Sequence, residues 1–185
     1  MNSGTISMRY VRALFSYALE NKAEDTVFTE MKKLSESFAA NPNLRTTLDN
    51  PVLNADDKLK LITAAAGNKV SSIFEKFIRL VLRQRRENHL QTISLSYLDT
   101  YREHKNITVG RLVTAQPMDN ATVDKIKQIV QKTKPSATIE LITEVNPDIT
   151  GGFILYVDSF RLDASISSQL RRIKDELMNK NKKIA

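Results

Sequence analysis

Cysteine is absent from all 185 residues, which excludes disulfides and thiolate metal sites and fits a reducing compartment. The only histidines, His89 and His104, lack the spacing of a metal-binding helix, so no metal centre is expected. No segment approaches the roughly 18 apolar residues of a membrane span, and Met1-Asn2-Ser3-Gly4-Thr5 lacks the charged-then-apolar order of a secretory signal. These features lead to the expectation of a cytosolic chain. Catalytic patterns are missing too: there is no nucleophile elbow and no aligned Ser, His and Asp set. Glycine is scarce, five in all, yet two are adjacent at Gly151-Gly152. They lead into Phe153 and a strand, whereas a phosphate loop continues through lysine and a hydroxyl into a helix. No cofactor is expected, and the pair reads as a sharp backbone bend.

What is present is ordinary for a globular protein. A 41% hydrophobic and 26% charged composition supports a real core in one large or two small domains. The net charge of +7 admits nucleic acid, an anionic lipid surface or an acidic protein as partner, and sign alone does not choose among them. Arg83, Arg85 and Arg86 are the dense basic cluster of the first half. They are read as complementing the C-terminal end of a helix, with phosphate binding the alternative role, and the aromatic interleaving used to bind single-stranded RNA is missing around them.

Helical periodicity dominates as far as residue 105. Met8, Val11, Phe15 and Ala18, widened by Leu14 and Leu19, make the stripe of a first helix for which Ser7 is a candidate N-cap. Phe28, Met31, Leu34 and Phe38 make a second from about Asp25. Asn41-Pro42 introduces a short third around Leu44 to Leu48. Asn54 caps a fourth that carries Leu59 and Ile62 and stops at Gly67, and Asp56 and Asp57 complement its positive end instead of forming an acid/base pair. From Val70 to Arg83 the apolar residues cover more than one face, which marks a contact-rich fifth helix. Glu87 to His104 is a sixth, lined by Leu90, Ile93, Tyr97 and Tyr101.

At Asn106 the period changes to alternation. Strands are expected at Ile107 to Ala115, Ile139 to Glu144 and Phe153 to Val157, with a helix from Asn120 to Lys134 and a return through Asp158-Ser159 into Phe160-Arg161-Leu162. A last helix is capped by Asp163 or Ser165. Its stripe is Ile166, Leu170, Ile173 and Leu177, its basic face Arg171, Arg172 and Lys174, and Lys180-Asn181-Lys182-Lys183 is a solvated tail. The expected architecture is α+β in two domains: a six-helix bundle over 1–105, then a small α/β domain over 106–185 with a short sheet and an amphipathic final helix.

Asn146-Pro147-Asp148-Ile149-Thr150-Gly151-Gly152-Phe153, followed by Leu162-Asp163-Ala164-Ser165 and Gln169-Leu170, resembles the signature of the F-type ATP synthase delta subunit family, the bacterial relatives of the mitochondrial oligomycin sensitivity-conferring protein. Arg9 to Phe15, Asn50-Pro51-Val52 with Lys58, and the strand-helix pattern after Ile107 fall in the family's order, so the likeness covers nearly the whole chain. Asn146, Asp158 and Ala164 depart from it, standing where the family commonly has Asp, Gly and Gly. The resemblance implies a non-catalytic stator component joining the catalytic headpiece to the peripheral stalk. It acts as one copy in the complex, held peripherally on the cytoplasmic side of a bacterial inner membrane. It further implies that the first domain receives the N-terminal helix of an alpha subunit between the first and fifth helices, and that the second holds the end of the b-subunit stalk. The groove residues it points to are Tyr10, Ala13, Leu14, Tyr17, Phe77, Leu80, Val81 and Gln84, with core packing the competing role for Leu14 and Val81. The signature residues Gly151, Gly152, Phe153, Asp163, Ser165 and Leu170 are read as structural. A basic RNA- or ribosome-associated module is the alternative function.

Overall fold

Stop signals in the sequence divide the helices where the chain geometry requires left-handed residues. In the computed structural model, which describes residues 3–133, 137–158 and 160–182, the first unit comprises α1 (Ser3–Glu20), α2 (Glu24–Ala40), α3 (Asn43–Asp49), α4 (Ala55–Ala65), α5 (Ser72–Arg83) and α6 (Leu90–His104), with a 3-10 turn at Glu87–His89. The second comprises β1 (Ile107–Thr114), α7 (Asn120–Thr133), β2 (Thr138–Val145), β3 (Phe153–Val157), β4 (Phe160–Asp163) and α8 (Ile166–Lys182). The chain is mixed α+β and divides into two compact units, residues 1–104 and 105–185.

In the first unit one apolar core gathers residues from all six helices, including Val11, Met31, Leu48, Ile62, Phe74, Ile78 and Tyr97. Burying each such side chain contributes about 1.5–3 kcal/mol. Burial also lifts the Tyr97 hydroxyl well above its ordinary pKa, with the nearby Glu24 charge reinforcing the shift. Three polar devices fix helix ends inside this unit. The Asn54 side chain accepts from Asp57 N–H at 2.8 Å and caps α4. Ser71 caps α5 by accepting from Phe74 N–H, and its own N–H and hydroxyl donate to the buried Glu30 carboxylate. Lys58 meets Glu87 at 2.6 Å, both largely buried, tying α4 to the 3-10 turn. At the other end of α4 the helix stops at Ala65, and Gly67 and Asn68 take positive φ.

Several sequence expectations shift. Ser7 is no N-cap: α1 begins at Ser3 and carries Ser7 inward, fully buried. Met8 is exposed, because the buried face of α1 turns toward Val11, Leu14, Phe15 and Ala18. The fifth helix begins at Ser72, not Val70, since Ser71 and Glu30 fix its first turn.

The second unit is a four-stranded sheet in the order β2-β1-β3-β4. Strands β1 and β2 run parallel with α7 between them in the chain, and β1/β3 and β3/β4 are antiparallel. Alternation puts Leu112, Ile139, Leu155 and Val157 into one core with Ile126 and Val130 of α7. The neighbouring register row aligns Arg111, Tyr156 and Arg161 across three strands. Both guanidiniums approach the Tyr156 ring, at 4.7 and 5.7 Å from its centroid, while Arg111 pairs with Glu144 and Arg161 with Asp163. Asp158 occupies the β3–β4 turn with φ +48°, a conformation that suits the glycine of the resembled family. In α8 the stripe residues Ile166, Leu170 and Ile173 stay solvent-facing, so this described part of the stripe is not buried within the unit as the spacing suggested. Leu177 and the Lys180 to Lys183 tail lie outside the described side chains.

Candidate functional site

Helical spacing on α1 places Ile6, Tyr10, Ala13 and Tyr17 along one side, and on α5 it does the same for Ile73, Lys76, Phe77 and Leu80. These two sides face each other across a surface groove. One part, about 260 Å³, is lined by Tyr10, Ala13, Leu14, Tyr17, Ile73, Lys76, Phe77 and Leu80. It continues through shared residues Tyr10, Ala13 and Leu80 into a second hollow of about 350 Å³ that Ile6, Arg9 and Arg86 complete. The Tyr10 and Phe77 rings meet edge to face with centroids 6.3 Å apart, which sets the spacing of the two helices. Leu80 and Tyr17 remain 48% and 43% exposed, although the unit has a complete core elsewhere. Such side chains are positioned to be covered.

Of the eight groove residues expected from sequence, Tyr10, Ala13, Leu14, Tyr17, Phe77 and Leu80 share this lining. Val81 does not: it is fully buried beneath α5 and packs in the core, one position of helical rotation away from the open side. Gln84 is exposed at the C-cap of α5 and stands outside the lining. The sequence reading passed over Ile6, Arg9, Ile73, Lys76 and Arg86. Ile6 and Ile73 were detectable by extending the same stripes one turn, but Arg86 depends on the path of the chain after α5. A larger hollow of about 530 Å³, lined by Asp49, Pro51, Lys58, Arg85 and Glu87 among others, is built over the Lys58–Glu87 ion pair and lacks a comparable apolar wall.

In the second unit the signature residues build a corner. Gly151 and Gly152 have φ of +146° and +79°, and a Cβ on Gly152 would lie 2.3 Å from the Ala164 carbonyl oxygen. That proximity lets Ala164 N–H donate to Phe153 O at 2.9 Å and Ile166 N–H to Gly151 O at 3.0 Å, so the start of β3 is stitched to the start of α8. Asp163 accepts from both the N–H and the hydroxyl of Ser165, at 3.0 and 2.6 Å. Ser165 in turn accepts from Ser168 N–H at 3.3 Å, which makes Ser165 the cap and Asp163 its support. Those donated bonds hold the Asp163 carboxyl below the usual aspartate range. Phe153 packs against the sheet core. Leu170 is not structural: it is exposed and belongs with Phe160, Leu162, Ile166 and Ile173 to a set of solvent-facing apolar residues on β4 and α8.

Both units therefore present apolar surface to solvent, a feature of proteins that work by interaction. The family model described as ATP synthase delta (OSCP) subunit matches residues 6–177. ATP synthase subunit delta of Bacteroides thetaiotaomicron is 49% identical, and that of Phocaeicola vulgatus 46% identical, each over the whole of both chains. The corresponding subunit of Prochlorococcus marinus is 30% identical over 91% of this chain and 94% of its own. In fold, the chain is similar to a chain in the cryo-EM structure of the Toxoplasma gondii mitochondrial ATP synthase hexamer, with a TM-score of 0.67, 19% identity, and coverage of 96% of this chain and 98% of the other.

The chain belongs to the ATP synthase delta (OSCP) subunit family. Its role is that of a non-catalytic stator subunit of ATP synthase. No helix among the described residues is long and apolar enough to cross a membrane.

Proposed function

We propose that the chain is a two-ended mechanical link: the six-helix bundle of the first unit receives the N-terminal helix of an alpha subunit between α1 and α5, and the second unit holds the end of the b-subunit stalk. The link restrains the catalytic headpiece against rotor torque, so that rotation is converted into ATP synthesis. It works peripherally on the cytoplasmic side of a bacterial inner membrane. The observation that carries this reading is the α1–α5 groove, whose Leu80 and Tyr17 face solvent beside the buried anchors Leu14 and Phe77. An amphipathic helix binds such a groove through residues spaced at i, i+3, i+4 and i+7. For the stalk end, the support is the apolar set Phe160, Leu162, Ile166, Leu170 and Ile173, which lies open to solvent on β4 and α8.

Leu80→Glu puts a charge into the groove at a half-exposed position. Titration calorimetry with a peptide of the alpha N-terminal segment is expected to show at least about a tenfold loss of affinity, the effect of removing one interface anchor. Unchanged affinity would remove the groove from the reading. Affinity capture of the native protein from its membrane should recover alpha and b subunits together, and recovery of RNA in their place would favour the alternative function.

A further inference from the structure

We propose that the α1–α5 groove reads charge as well as apolar shape: Arg9 and Arg86 form a cationic clamp at one end, which grips carboxylates flanking the apolar stripe of the helix that occupies it. This rests on the reading of the groove as a helix-docking site. Its starting point is how α5 ends. Arg85 takes φ +52°, Arg85 N–H donates to Leu82 O at 3.0 Å, and Arg86 N–H donates back to Val81 O at 3.0 Å. This is the left-handed termination that glycine usually supplies, here held by an arginine. It folds the chain back on the helix, so that Arg86 joins Arg9 of α1 in lining the hollow beside Tyr10, Ala13 and Leu80. Two residues 77 positions apart are thus brought to one groove end.

Their charges are unspent. Arg79, Arg102, Arg111 and Arg161 each face a carboxylate within 4 Å, whereas Arg9 and Arg86, like Arg12, Arg45, Arg83 and Arg85, form no ion pair with any described residue, and of these six only Arg9 and Arg86 line the groove. The groove lining as a whole contains three cations, with Lys76 the third, and neither Asp nor Glu. Two guanidiniums beside an apolar wall are stabilised by an anion that arrives with the ligand, and the planar guanidinium suits a carboxylate. A protein helix suits the lining better than RNA, because most of the wall beside the cations is aliphatic or buried, with Ile6, Ala13, Leu14, Ile73 and Leu80 along it and Phe77 largely covered, as the apolar stripe of a helix requires. The clamp therefore sets how the docked helix lies along the groove, while Leu14, Phe77 and Leu80 supply the apolar contact.

The test uses the full chain with Arg9→Gln and Arg86→Gln, singly and together, against a peptide of the alpha N-terminal segment and the same peptide with its Asp and Glu changed to Asn and Gln. At low ionic strength the double variant should bind the native peptide about tenfold more weakly, and the difference should shrink to under about threefold in ~0.5 M salt, as expected for a solvent-exposed charge contact. The neutralised peptide should bind the native protein and the double variant equally. Equal binding of the native peptide by native protein and double variant, while Leu80→Glu still weakens it, would overturn the clamp and leave the docking groove standing. If Leu80→Glu has no effect, the groove reading itself fails. A short RNA oligonucleotide bound by the native protein and released by the double variant would overturn the choice of a protein carboxylate.

Discussion

Gly152→Ala adds a single methyl group, and the corner it enters has no room for one. The residue sits at φ +79°, where an L-residue is disfavoured by about 1–2 kcal/mol. Its Cβ would lie 2.3 Å from the Ala164 carbonyl oxygen and 3.1 Å from Ser165 Cα, so backbone must retreat by about 1 Å to restore ordinary contact at 3.4 Å. The retreat pulls on the two bonds that join β3 to α8, Ala164 N–H to Phe153 O and Ile166 N–H to Gly151 O, each contributing about 0.5–1.5 kcal/mol. It also disturbs the Ser165 cap, which contributes about 1 kcal/mol. The combined loss is about 3–6 kcal/mol, against the roughly 4–12 kcal/mol that a unit of this length is expected to hold. Hydrogen exchange followed by mass spectrometry should show protection across β1 and β3 falling by about two to four orders of magnitude, with the helices of the first unit unchanged. Gly4→Ala is the control, because nothing lies within 4 Å of the added methyl. Protection in β1 and β3 within about threefold of the native protein would refute the steric argument. Gly152→Val adds branching to the same clash and should lose more, including affinity for the stalk.

Lys58→Met leaves the Glu87 carboxylate buried without its ammonium partner and should destabilise the first unit by about 2–4 kcal/mol, somewhat less than a fully sealed pair because a hollow adjoins it. The double variant Lys58→Met, Glu87→Leu should recover most of that in denaturant unfolding, and equal losses for single and double variants would show that the pair is not what matters. Asp163→Asn tests the α8 cap by its pH dependence. The folded carboxyl titrates below the ordinary value of 3.8, so its stabilising effect is fully present above that value and is lost as pH falls through the lower, folded pKa. The stability gap between native protein and variant should therefore be constant near neutral pH and close in acid, and a gap that persists there would assign the effect to shape instead of charge. Leu80→Glu, at a half-exposed site, should leave the unfolding midpoint within the range of ordinary surface substitutions, about 0.5 kcal/mol, even as it weakens peptide binding.

Much of this molecule is written locally. The Asn54 cap, the stop at Gly67, the change from helical to alternating period after His104 and the bend at Gly151-Gly152 are short-range signals, because caps, left-handed turns and pleat alternation depend on residues within a few positions of one another. Of the groove, the residues alone showed only an excess of apolar faces on α5; Tyr10, Ala13, Tyr17, Phe77 and Leu80 were named through the family resemblance, and the structure lines one hollow with them. Spacing could not tell which of those faces the core would take. Val81 and Leu80 are adjacent and alike in chemistry, yet packing against the other helices buries the first completely and leaves the second half in solvent. The same limit applies to Ser7, drawn inside by an earlier helix start, and to Leu170, left exposed with Ile166 and Ile173 among the described residues. The meeting of Arg9 and Arg86 in one hollow and the bonds of Phe153 to Ala164 and of Gly151 to Ile166 are tertiary facts altogether. The sequence by itself determined the elements and their ends, whose energetics are local, whereas which surfaces meet, and so which are left over for partners, was decided only when distant segments competed for the same core.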